Sequence, residues 1–124
     1  MTILRYLMED NGYLKDLDKQ FYKIRDVSEL LGVPPSTLRY WESEFPEIMP
    51  KRSRSNQRYY RPDDIRILRM IHYLVKVKGL RIEAAKEELR SNRKNVSRRL
   101  EIIDLLTETK ESLNEILGAL NKRK

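Results

Sequence analysis

Between Lys51 and Arg61 the chain carries five cations and no acid: Lys51, Arg52, Arg54, Arg58 and Arg61. Ser53, Ser55, Asn56 and Gln57 lie between the charges, and Tyr59-Tyr60 follow. Nothing among these side chains pairs a nucleophile with a general base. They neutralise phosphate charge and hydrogen-bond to phosphodiester oxygens or base edges. Ser36, Thr37, Arg39 and Tyr40 form a second group of this kind, interleaved with Leu38 and Trp41. On a helix, Ser36, Arg39 and Tyr40 can face a DNA groove about 12 Å wide while Leu38 and Trp41 face inward. Arg39 is expected to reach guanine or phosphate, and Tyr40 to donate to phosphate. Asn56 and Gln57 are expected at backbone or minor-groove edges. Adjacent tyrosines on a strand point to opposite faces. Tyr60 is the expected phosphate contact of the two.

Other chemistry is scarce. There is no cysteine, so thiolate metal sites, disulfides and cysteine nucleophiles are excluded. His72 is the only histidine, and the four glycines are scattered rather than grouped into a phosphate loop. Glu42, Glu44 and Glu47 read as exposed charge on one short helix. No enzyme activity, no metal and no cofactor are expected.

The bulk numbers agree with an anionic partner. Twenty-six Lys and Arg against 19 Asp and Glu leave a net charge of +7. Charged residues make up 36% of the chain, above the roughly 25% of ordinary domains, which suggests solvated helices. No apolar run approaches the roughly 20 residues of a membrane span, so a cytoplasmic, nucleoid-associated protein without a membrane partner is expected.

These side chains need elements to position them. Residues 1–21 are mixed and read as an N-terminal arm, with a turn at Asn11-Gly12. Ile24, Val27, Leu30 and Leu31 make one apolar helix face, which Gly32 terminates. Pro35 fits the first turn of a second helix, and Pro46 stops it. Lys51 to Arg61 reads as an extended hairpin. Pro62-Asp63-Asp64 opens a third helix ending at Gly79, and a short fourth runs from about Ile82 to Arg90. A break at Ser91-Asn92 precedes a last helix from about Val96 to Leu120. Ile102, Leu106, Thr109, Leu113, Ile116 and Leu120 recur at spacings of four and three, a heptad seam. A small core cannot cover that stripe, so a second chain is expected to do so.

The order of elements and the side chains together resemble the MerR family of bacterial transcription regulators. The resemblance spans Tyr22 to about Arg90. It is carried by Tyr22-Lys23-Ile24, by Leu30 to Val33, and by Ser36-Thr37-Leu38-Arg39-Tyr40-Trp41-Glu42. Arg58-Tyr59-Tyr60, Asp63-Asp64-Ile65 and Lys78-Gly79-Leu80 complete it. It implies an all-α fold with a small β wing: a winged helix-turn-helix over 22–91, then a dimerisation coiled coil over 92–124. It also implies antiparallel pairing of the long helices and a homodimer on a pseudo-palindromic site in double-stranded DNA. Promoter distortion, with RNA polymerase as a candidate partner, is part of the same implication. The sequence departs from the family pattern at three places. Pro34 stands where a capping Ser or Thr is usual, and Ser36 where Arg is frequent. Ser55-Asn56-Gln57-Arg58 replaces a common Ser-Gly-Tyr-Arg.

Two other readings use the same residues. One is a DNA-architectural or chromosome-anchoring protein with little sequence preference. The other is a helical interaction module whose basic surface meets an acidic partner or a membrane.

Overall fold

The computed structural model describes residues 19–122. The arm reading, apart from its last residues, therefore falls outside the described residues. Strand β1 (Tyr22–Lys23) leads directly into helix α1 (Ile24–Leu31). Asp26 accepts the Lys23 backbone N–H at 3.2 Å and so satisfies one free donor at the helix start. Gly32 ends α1 at φ 68°, a left-handed conformation that glycine adopts without a Cβ clash. The turn is closed by Ser28. Its carbonyl accepts Gly32 N–H at 2.9 Å, and its hydroxyl donates to Val33 carbonyl at 2.5 Å.

Helix α2 (Pro35–Glu44) follows at once, with proline in its first turn. It ends at Phe45, whose backbone is extended because Pro46 disfavours helical geometry in the residue before it. Strands β2 (Lys51–Arg52) and β3 (Arg58–Tyr60) form the expected hairpin. The sheet has a third member that sequence periodicity did not reveal. β1 pairs antiparallel with β3, Tyr22 opposite Tyr60, giving the order β1-β3-β2. A two-residue strand has no period to detect.

Helix α3 (Pro62–His72) continues through a single wider π turn, Tyr73–Val77, to Gly79 at φ 74°. Helix α4 (Ile82–Ser91) and the long helix α5 (Arg93–Lys122) complete the chain. The core lies between α1, α2, α3 and the sheet. Val27, Leu38, Phe45, Tyr60, Ile65, Leu68 and Ile71 have no exposed surface. Each such side chain contributes roughly 1.5–3 kcal/mol of burial.

Asp64 ties the wing region to this core. It is 1% exposed and accepts the backbone N–H groups of Arg61 at 3.0 Å and Met49 at 3.2 Å, besides the Arg61 guanidinium at 3.3 Å. The arrangement caps α3 and fixes the segment that leads into the wing. Asp64→Ala should therefore destabilise the fold by about 1–3 kcal/mol in urea unfolding, because part-buried backbone donors lose their acceptor.

His72 packs beside Trp41, with ring centroids 6.3 Å apart. Burial holds its imidazole below the usual value of 6.5, and Lys76 and Arg69 push in the same direction. The folded state disfavours the protonated form. This contribution to stability is therefore complete above the unfolded value and declines as pH falls below it. The urea midpoint should drop between about pH 7.5 and about pH 5, and less so in His72→Gln.

The long helix carries two apolar stripes. Val96, Leu100, Ile103 and Thr107 are buried. Arg69, 4% exposed, reaches Asp104 with two guanidinium nitrogens at 2.8 and 2.5 Å and pins α3 to α5. The second stripe holds Ile102, Leu106, Leu113, Ile116 and Leu120. These residues, with Leu105 and Leu117 beside them, are each more than half exposed in the single chain. Among the described residues, no helix is long and apolar enough to cross a membrane.

Candidate nucleic-acid interface

The interface is built from α2 and the wing. Leu38 and Trp41 are buried and anchor α2 to the core. The opposite face presents Ser36, Arg39 and Tyr40 to solvent, as helical spacing requires. Thr37 sits at the edge of that face and is half-buried. Arg39 forms no ion pair among the described residues, so its guanidinium is available to a ligand. Tyr40 is 49% exposed.

Lys51, Arg52, Arg54 and Asn56 are exposed on the wing. The tip is held by short-range bonds. Ser53 N–H donates to Gln57 carbonyl at 2.9 Å and Asn56 N–H to Ser53 carbonyl at 2.9 Å. Asn56 lies at φ 63°, a region asparagine enters at lower cost than other side-chain-bearing residues. It thus fills the conformational role of the glycine common at this point. Its carbonyl oxygen also accepts from Arg52 at 3.1 Å. Lys51 lies with its ammonium 5.4 Å from the Phe21 ring centre.

The structure changes several expectations. Tyr60 is buried rather than phosphate-facing, and Tyr59 is the half-exposed member of the pair. Pairing with β1 turns Tyr60 toward the core. Burial pushes its phenol up to about 12, the Glu42 carboxylate adding to the effect while Arg58 and Arg39 oppose it. Glu42 is not simply exposed charge. Its carboxylate accepts from Arg58 at 2.5 Å, Arg52 at 3.3 Å and the Tyr60 hydroxyl at 3.4 Å. Glu44 pairs with Lys86 at 2.7 Å, which raises that ammonium's pKa. Glu47 lies beyond the end of α2 and approaches Arg93 at 3.9 Å. All three acids therefore brace α2 and the loop after it against the wing, α4 and α5. No local sequence signal pointed to Glu42, because its partner Arg58 is 16 residues away on another element.

A helix-turn-helix with an exposed Arg-Tyr face, flanked by a cationic three-stranded wing, defines a DNA-binding module. Residues 22–92 match the model of the MerR HTH family regulatory protein, and the chain belongs to that family. It is a DNA-binding regulator of the winged helix-turn-helix class. Neither a curated protein nor a solved structure matches it.

Proposed function

We propose that the protein is a sequence-specific transcription regulator that grips a pseudo-palindromic promoter site as a homodimer and distorts it. The observation that carries this reading is the shared surface of α2 and the wing. Glu42 holds the two against each other, so the exposed Arg39-Tyr40 face and the cations of the wing lie side by side. In this reading Ser36, Arg39 and Tyr40 enter the major groove, and Thr37 meets the backbone. Lys51, Arg52 and Arg54 neutralise phosphates, and Asn56 sits at the wing tip. Residues 22–91 form the reading head and 92–124 the dimerisation segment.

A second copy is the occupant of the exposed α5 stripe. Ile102, Leu106, Thr109, Leu113, Ile116 and Leu120 retain heptad spacing and lie apart from the stripe already docked on the core. The helix has 30 residues and so spans about 45 Å, long enough to set two reading heads apart on one duplex. Antiparallel pairing would present them in opposite directions, as a dyad-symmetric site requires. Bending such a site costs of order 1–6 kcal/mol, offset by the contacts of the second head. RNA polymerase is the further partner that promoter distortion implies.

Duplex binding at stepped salt concentrations tests the reading. Three cations on each of two protomers make six phosphate contacts, which give a slope of log affinity against log salt of about −5. Failure to bind any duplex at low salt would remove the proposal.

A further inference from the structure

Arg52 and Arg58 stand directly opposite each other across the β2–β3 ladder. Like charges in that position repel and separate the strands. Glu42 reaches both from α2, at 3.3 and 2.5 Å, and also accepts the Tyr60 hydroxyl at 3.4 Å. The two arginine contacts differ. Arg58 is on the central strand, with its side chain 22% exposed and its Nε committed to a carboxylate that is itself 14% exposed. Arg52 is on the edge strand, 40% exposed, and its bond is the longer one. A charge-assisted bond sheltered from water is electrostatically stronger than one facing solvent. Lys51 and Arg54 form no ion pair among the described residues.

We propose that Glu42 is the positioning residue that sets the wing against the recognition helix, and that Arg58 is its bracket rather than a phosphate contact. The wing's grip on the backbone then comes from Lys51, Arg52 and Arg54. Arg52 exchanges its longer bond to Glu42 for a phosphate, while Arg58 stays bound to Glu42 in the complex. Removing either member of the Glu42–Arg58 pair lets the wing tilt away from α2. The protein then still attracts duplex but places its two contact surfaces in the wrong relation. Part of this inference rests on the duplex-binding reading above, and part does not.

The independent part is tested in the free protein. In Glu42→Gln, amide hydrogen exchange at Ser53, inside the wing, should accelerate tenfold or more while exchange at Leu31 in α1 stays unchanged. Equal wing exchange in variant and wild type would overturn the clamp, whether or not DNA is bound. The second part compares Arg58→Gln with Arg54→Gln on a duplex selected by the wild-type protein and on an unrelated duplex. Arg54→Gln should weaken both and make the salt slope shallower by about 0.9 per protomer. Arg58→Gln should reduce the ratio of selected to unrelated affinity at least tenfold and leave the slope unchanged. A slope that falls in Arg58→Gln as it does in Arg54→Gln would show a phosphate contact and overturn the assignment. Because Arg58→Gln removes the clamp from the wing side, it decides the matter even if Glu42→Gln fails to fold.

Discussion

Leu106→Glu combined with Leu113→Glu should yield a monomer whose operator affinity is lower by about a thousandfold. Both side chains are more than half exposed in the single chain, so the substitution leaves the core intact. In an antiparallel pair they would be buried, and the partner supplies the same two leucines. Each leucine is already nearly half covered in the single chain, so removing four forfeits about 3–6 kcal/mol of burial and places four carboxylates in an apolar seam. A micromolar dimer is held by only about 8 kcal/mol. The released monomer retains one reading head. Its affinity should fall from the range of specific binding, about 10⁻⁸ M or tighter, toward that of non-specific binding, about 10⁻⁵ M. Sedimentation velocity and gel mobility shift check the two halves of this expectation. A variant that remains dimeric would mean that another surface joins the chains.

Arg39→Ala should abolish discrimination between operator and unrelated duplex while leaving the fold and the non-specific affinity nearly unchanged. A good bidentate contact to guanine is worth about 1–3 kcal/mol. In the proposed dimer two copies would act, so about 2–6 kcal/mol is at stake, a loss of roughly thirtyfold to ten-thousandfold. The thermal midpoint should not move, because Arg39 is exposed and has no ion-pair partner among the described residues. A phosphate contact would behave otherwise. It would weaken all duplexes alike and lower the salt slope by about 0.9 per copy. Competition titrations with both duplexes at two salt concentrations distinguish these outcomes.

Most of the scaffold was legible from residues that stop or start helices. Gly32, Pro46, Pro62 and Gly79 punctuate the chain where local backbone chemistry demands it, and the elements begin or end there. The exposed Arg39-Tyr40 face followed from helical spacing against Leu38 and Trp41. What was not legible depends on distant pairing. β1 is two residues long and shows no alternation, yet it decides which tyrosine is buried. Alternation predicts one inward tyrosine, and only the Tyr22–Tyr60 pairing selects Tyr60. Glu42 looked like solvated charge because its partner Arg58 is 16 residues away on another element. The docked stripe of α5 was hidden by the heptad seam, since both share the same spacing and are told apart only by what they touch.

The central claim is that this chain reads duplex sequence through paired heads. Selection from a pool of random duplexes by the purified full-length protein tests it most directly. Enrichment of one motif in two inverted copies is expected, their centres separated by whole turns of the duplex. Duplexes enriched without a motif, bound in a salt-sensitive manner, would support the architectural alternative and rule out sequence-specific reading. A pool from which nothing is retained would rule it out as well.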